Sequence, residues 1–287
     1  MSTNPAHTVL VGYDGSPDAA VAIEIGARLL PGCRAHVAHL WSPPFAASEL
    51  RARLIQRAGT VREMIEMLER EALAEAERVA ADGVTLARGA GWDAEPLVRR
   101  VYGAEGLELA ALAEEMEPDA LLVGSRGLTG VRAVLGSVSD EAVHASPVPV
   151  IVVPRLVLTP EREAAATGPI VVGDDGSDGA ARAVEGVREL FGDREVVRVR
   201  VTAFDDGDDV APGTVMVPPV GVSASGRAVA DALVRQARAS GAAAIAVGSR
   251  GRSAVKEIML GSAAMAVLHH TDRPVVVVPS RGAGAGD

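Results

Sequence analysis

Aromatic side chains are scarce: the 287 residues include two Trp, two Tyr and three Phe. A core without them has to be filled by Ala, Val, Leu and Ile, because apolar residues still make up 48% of the chain. That composition suits helices laid on a parallel sheet, whose strands are buried on both faces and read as Val/Ile runs. Cysteine occurs once, as Cys33. No intrachain disulfide or cysteine-based metal site can be built from it, and core filling in a reducing compartment is the expected role. Cations are outnumbered, 28 Lys and Arg against 38 Asp and Glu, for a net charge of −10. Phosphate-backbone binding needs clustered Lys and Arg, so nucleic acid is not an expected partner. Arg51, Arg53, Arg57 and Arg62 are interleaved with Glu63, Glu66, Glu69 and Glu71, the pattern of a solvated helix face. No run approaches the ~20 apolar residues of a membrane span. Met1 to His7 is polar and lacks the basic flank and apolar stretch of a secretory signal. The expectation is a cytoplasmic protein with no membrane partner.

Several site motifs are also missing. There is no G-x-x-x-x-G-K-[ST] phosphate loop, and no G-x-G-x-x-G follows a first strand. No G-x-S-x-G elbow presents a nucleophile, and Ser125 and Ser249 sit beside Gly and Arg without a placed base. His7, His36, His39, His144, His269 and His270 show no ligand spacing. The acidic run Asp205 to Asp209 lacks the spaced oxygens of a cation cage and reads as a solvated loop. No metal site is expected.

What the chain does contain is a duplication. Val9-Leu10-Val11-Gly12-Tyr13-Asp14-Gly15-Ser16 returns as Ile170-Val171-Val172-Gly173-Asp174-Asp175-Gly176-Ser177. Gly124-Ser125-Arg126-Gly127 returns as Gly248-Ser249-Arg250-Gly251, and Pro149 to Pro154 returns as Pro274 to Pro279. Asp14 and Asp175 stand 161 positions apart, Gly124 and Gly248 only 124, so the second copy has lost 37 residues between these blocks. The loss falls on a long amphipathic helix. Leu50, Leu54, Ala58, Val61, Ile65, Leu68, Ala72, Ala76 and Val79 recur at steps of three and four, and Asp82-Gly83 reads as the stop. The second copy has the polar Asp205 to Asp209 run at that place.

The first copy therefore reads as strand 8–13, helix 17–30, strand 34–41, helix 48–82, strand 84–88, helix 95–117, strand 120–124, helix 137–145 and strand 148–153, and the second copy reads likewise without the long helix. Alternation of this kind implies an α/β fold: two tandem Rossmann-like domains, each with a parallel sheet flanked by helices on right-handed crossovers. The expected boundaries are a complete domain at 1–154, a linker at 155–168, a shortened domain at 169–280 and a disordered tail at 281–287. Ligands of such sheets bind at the carboxyl ends of the strands, where strand order reverses.

The loops after the first and fourth strands lie at that place. Each copy carries G-x-x-G, a spacer, and Gly-Ser opening a helix: Gly124, Gly127, Gly136 and Ser137, then Gly248, Gly251, Gly261 and Ser262. Glycines let the backbone turn and approach a ligand closely. Free N–H groups at a helix start, with the positive end of its dipole, favour an anion by roughly 0.3–1 kcal/mol. Gly-Ser also serves as a plain helix cap. Asp14 likewise fits a strand-to-helix turn, with Ser16 as N-cap and Pro17 as first helical residue.

Together these blocks resemble the universal stress protein family, over nearly the whole chain. The strand ending in Asp-Gly-Ser, the G-S-R-G loop, Gly136-Ser137-Val138-Ser139 and the closing Pro-Val-x-Val-Val strand carry the likeness. The resemblance implies five-stranded sheets of order 3-2-1-4-5 and an ATP site, with or without Mg²⁺, on the pattern G-x2-G-x9-G-[S/T]. It places Asp14 and Leu40 near adenine and ribose, with Gly124, Gly127, Gly136, Ser137 and Ser139 around the phosphates. In the second copy it selects Asp175, Val201, Gly248, Gly251, Gly261 and Ser262. Neither copy fits fully: the first has eight residues between Gly127 and Gly136, and the second has nine before Gly261 but Ala264 in place of a second hydroxyl. The missing helix wall makes the first copy the expected stronger site. The function implied is a nucleotide-dependent stress sensor or adaptor with at most slow ATP hydrolysis, acting on an unknown protein partner. A nucleotide-independent scaffold and an adenylyl- or phosphoryl-transfer enzyme are the alternatives. The apolar last strands are edges that proteins usually cover. The resemblance implies that they pair antiparallel, within the chain or between two chains of a homodimer.

Overall fold

The computed structural model describes residues 7–42, 60–125, 135–202, 211–219, 225–249 and 260–280. The first copy opens on β1 (Thr8–Gly12) and turns into α1 (Pro17–Leu29), β2 (Arg34–Trp41) and the long α2 (Val61–Gly89). It continues with β3 (Asp93–Arg100), α3 (Glu105–Met116), β4 (Ala120–Gly124), α4 (Ser137–Ala145) and β5 (Val150–Val153). Helix α5 (Thr159–Thr167) leads to the second copy: β6 (Ile170–Gly173), α6 (Asp178–Phe191), β7 (Val196–Val201), the short β8 (Val215–Val217), α7 (Gly226–Ala239), β9 (Ala244–Gly248), α8 (Ser262–His270) and β10 (Val275–Val278).

Two of the expected elements are corrected. The strand read at 84–88 is the last part of α2, and the helix read at 95–117 is β3 followed by α3. Gly83, a helix stop on the sequence pattern, lies inside α2, where the helix packs too closely on the sheet for a side chain. A Cβ would stand 2.7 Å from Tyr13 Cδ1 and 2.8 Å from Val37 Cγ1. Ala76, Ala80, Gly83, Val84 and Ala87 form one buried stripe at steps of one, three and four, and the helix ends only before Gly91, at φ +98°. β3 tolerates Pro96 because it pairs only with β2, at the sheet edge. The expected start at 48, with Leu50, Leu54 and Ala58, lies outside the described residues. Helix α2 itself begins at Val61, where Thr60 and Glu63 form a capping box. The expected tail 281–287 also lies outside the described residues.

All ten strands form one sheet, in the order β3-β2-β1-β4-β5-β10-β9-β6-β7-β8. Every neighbouring pair is parallel except β5 and β10, which run antiparallel with Ile151 opposite Val276. Side chains alternate between two buried layers. Val9, Val11, Leu122, Ile151, Val276 and Val172 pack under α1, α2 and α6, while Leu10, Leu121, Val150, Val277 and Val171 pack under α3, α4, α7 and α8. Because the junction is antiparallel, the carboxyl ends of β1 and β4 lie on the opposite sheet edge from those of β6 and β9. The turns at Asp14 and Asp175 therefore lie at opposite ends of the strands.

The segment read as a linker folds as α5 and braces the copies. Arg162 donates to Glu24 of α1, and Arg194 donates to the carbonyls of Ala165 (2.8 Å) and Leu29 (3.2 Å). Cys33 is buried, and burial first, then Asp119, pushes its thiol up to about 11.

Candidate functional site

Both Asp-Gly-Ser turns are built alike. The Ser16 N–H donates to Asp14 Oδ1 at 2.9 Å, and Ser16 Oγ accepts from the Ala19 N–H at 3.1 Å to cap α1. In the second copy the Ser177 N–H donates to Asp175 Oδ1 at 3.0 Å, and Ser177 Oγ caps α6 through the Ala180 N–H at 3.2 Å. Gly15 and Gly176 hold φ at +81° and +74°, the left-handed conformation that glycine takes without steric cost. Each aspartate thus shapes its turn at the carboxyl end of the first strand.

The described ends of the two glycine loops also match. The Ser125 N–H donates to the Val153 carbonyl at 2.7 Å, and the Gly136 N–H to the Ser125 carbonyl at 2.8 Å. Ser249, Val278 and Gly261 repeat this at 2.8 and 3.0 Å. Helices α4 and α8 then start at Ser137 and Ser262, and their N-cap residues Gly136 and Gly261 supply no side-chain hydrogen bond; the first N–H groups of a helix have no partner within it. Gly248 is required on packing grounds: a Cβ there would lie 2.5 Å from the Gly179 carbonyl oxygen. Gly124 is looser, with its nearest such contact at 3.0 Å from the Asp18 carbonyl oxygen. Ser139 is buried and donates its hydroxyl to the Gly124 carbonyl at 2.6 Å, tying α4 to the end of β4. Leu40 and Val201 sit half-buried near and at the ends of β2 and β7, against the layer under α3 and α7. Gly127 and Gly251 lie outside the described residues.

In the second copy five selected residues meet around one cavity of about 200 Å³: Asp175, Val201, Gly248, Gly261 and Ser262. Val229 and Leu233 of α7 supply an apolar wall. Gly226, at the start of α7, completes it: a Cβ there would stand 2.8 Å from the Ser262 backbone and 2.9 Å from its hydroxyl. The arrangement brings an apolar wall, the Asp175 carboxylate and the start of α8 around one cavity. A ligand with a flat apolar part, hydroxyls and an anionic end matches it.

Sequence reading missed the charged group beside this cavity. Arg198 donates to Asp174 Oδ2 through Nη2 (2.7 Å) and Nε (3.1 Å), and Arg200 Nη2 stands 3.5 Å from Asp174 Oδ1. Burial alone would raise the Asp174 carboxyl. The Gly176 N–H and the Arg198 guanidinium outweigh it and hold the carboxyl below the usual carboxylate range. Strand register puts Asp174 at the place of Tyr13 and Arg198 at that of Val37, the two residues that seat Gly83 of α2. Where the second copy lacks the helix, an ion pair replaces the apolar seat. The signal was available as two arginines in the otherwise all-Val strand Val196–Val201. Among the described residues no group of three or more His, Cys, Asp or Glu is placed to hold a metal ion, and no helix is long and apolar enough to cross a membrane.

The universal stress protein family model matches residues 5–154 and 216–279. A universal stress protein from Archaeoglobus fulgidus DSM 4304 is similar in structure, with TM-score 0.61, 23% identity, and 96% of this chain and 97% of that one covered. A protein of Pseudomonas aeruginosa PAO1, described as functionally unknown, shares the fold at TM-score 0.54 and 11% identity, covering 96% of this chain and 93% of its own. No curated protein matches the chain in sequence. With matched segments in both copies and the same fold along nearly its whole length, the chain belongs to the universal stress protein family.

Proposed function

We propose that this chain binds an adenine nucleotide, ATP with or without Mg²⁺, and acts in the cytoplasm as a nucleotide-dependent stress sensor or adaptor with at most slow hydrolysis. The observation that carries the reading is the second-copy cavity, which draws Asp175, Val201, Gly248, Gly261 and Ser262 together at the start of α8. In this reading Asp175 and Val201 face ribose and adenine, and Gly248, Gly251, Gly261 and Ser262 face the phosphates. Asp14, Leu40, Gly124, Gly127, Gly136, Ser137 and Ser139 form the matching set in the first copy. The nucleotide-binding units are residues 1–154 and 169–280, with α5 bracing them. Family membership supports the reading, since the same loops carry the family's nucleotide pattern.

Mass spectrometry of the ligand released from purified protein, followed by calorimetric titration with ATP, tests it. Co-purified adenine nucleotide or a saturable binding heat is the expected result. No retained nucleotide and no heat at millimolar ATP would sink it in favour of the scaffold role.

A further inference from the structure

Besides the lost helix, the two copies differ where α3 meets α4 and where α7 meets α8. In the first copy Glu141, on the second turn of α4, accepts from the Gly106 N–H at 3.2 Å. A protein carboxylate thus already occupies the gap between the starts of α3 and α4. Asp140 adds a second acid in the first turn of α4, and Asp18, paired with Arg155 at 3.6 Å, lies next to Gly124.

The second copy has none of these acids at the matching positions, and the acid in the first turn of α6 is Asp178, one residue before the place of Asp18. Gly136 and Gly261 correspond, so Glu141 falls on Ala266 and Asp140 on Met265, and α8 has no acidic residue in its first turn. Asp14 and Asp175 correspond, so Asp18 falls on Gly179, and Ser280 stands at the place of Arg155. Its hydroxyl lies 2.7 Å from that of Ser249. Asp174 adds a carboxylate to the lining, but Arg198 and Arg200 balance it.

The wall differs as well. Leu109 and Leu233 occupy matching places against Gly12 and Gly173. Helix α3 starts four residues before Leu109, whereas α7 starts seven before Leu233. The extra turn of α7 brings Gly226 onto Ser262 and closes the cavity on the side away from the lost helix.

We propose that this second-copy cavity, between α7 and α8, is the chain's principal nucleotide site, and that the first copy, its helix junction filled by Glu141, is the weaker one. The proposal rests on the nucleotide reading above and reverses the order expected from the missing helix. A carboxylate beside a helix start repels an incoming phosphate, and Glu141 already holds the Gly106 N–H at the start of α3. An alanine there does neither.

Amide hydrogen exchange of the full chain, read by mass spectrometry across an ATP titration, tests it. Protection should reach the peptide spanning Ser262 to Ala266 at lower ATP than the peptide spanning Ser137 to Glu141. Ser262→Asp, at an exposed position, should weaken the main calorimetric transition by roughly two- to fivefold, the scale of one charge placed at a helix start. Its melting curve separates loss of binding from loss of fold. Protection appearing first at α4, or an isotherm that Ser262→Asp leaves unmoved, overturns this assignment while leaving the nucleotide reading intact. Protection at neither helix, with no heat, overturns both.

Discussion

Arg198 grips Asp174 with two nitrogens, at 2.7 and 3.1 Å, at the two places that Val37 and Tyr13 hold beneath α2 in the first copy. The Asp174 side chain is 2% exposed and that of Arg198 25%. Removing the acid leaves two guanidinium groups without it, and breaking a buried pair in this way costs about 3–5 kcal/mol. Asp174→Ala should lower the denaturant midpoint accordingly. The pair also sets a pH limb. Its folded carboxyl value lies below the unfolded value of about 3.9. The contribution is therefore complete above that unfolded value and is lost as pH falls through the folded one. Asp174→Asn should flatten the acid limb of stability below about pH 4. An unchanged acid limb in that variant would show that the pair carries no such linkage.

Gly83 and Gly89 of α2 make a matched contrast. Alanine at either gains about 1 kcal/mol of helix propensity. At Gly89 nothing lies within 4 Å of the new Cβ, whereas at Gly83 Tyr13 and Val37 stand under 3 Å away. Gly89→Ala should be neutral or stabilising. Gly83→Ala should destabilise by about 1–3 kcal/mol through overpacking, net of propensity. Chemical denaturation of the two variants decides it, and equal midpoints would mean that α2 does not press on β1 and β2 as described.

Cys33 should be inert while the protein is folded. Its thiol is 2% exposed and pushed up to about 11, and the thiolate is the reactive species. Labelling by iodoacetamide at neutral pH, followed by mass, should proceed only at the rate of unfolding. Fast labelling of the native protein would contradict the burial.

The recurring blocks and the Asp-Gly-Ser turns were legible because their chemistry is local: a capping serine, a left-handed glycine and a Val-rich strand identify themselves in a few residues. The α/β architecture followed from them. The third strand was not legible, because its evidence is tertiary. Gly83 looks like a stop until Tyr13 is seen against it, and Pro96 looks unfit for a strand until β3 is seen at the edge. The α5 brace was hidden by its short, alanine-rich sequence, which buries only Ala165 within the helix. At the site, the glycines and serines were readable, but the partner of each was not. Ser139 stands out by its place after Gly-Ser-Val, and only the fold shows that its hydroxyl donates to the Gly124 carbonyl.

The junction between the copies rests on Ile151 and Val276, which face each other across the antiparallel pair and are both fully buried. Val150, Val152, Val275 and Val277 flank them on the opposite layer. Two apolar edges thus cover each other, which removes the pairing hazard each would present alone. Truncation to alanine at either position should cost about 2–5 kcal/mol for Ile151 and somewhat less for the smaller Val276. Lysine at both positions puts two ammonium groups into one dry layer without partners, which exceeds what a domain of ordinary stability tolerates. The Ile151→Lys, Val276→Lys double variant should lose its cooperative melt and bind an apolar dye strongly. If two chains instead exchange these strands, the wild type should elute as a dimer, and the double variant should be monomeric as well as dye-binding. Native-like melting and no added dye binding in that variant would mean that β5 and β10 do not hold the copies together.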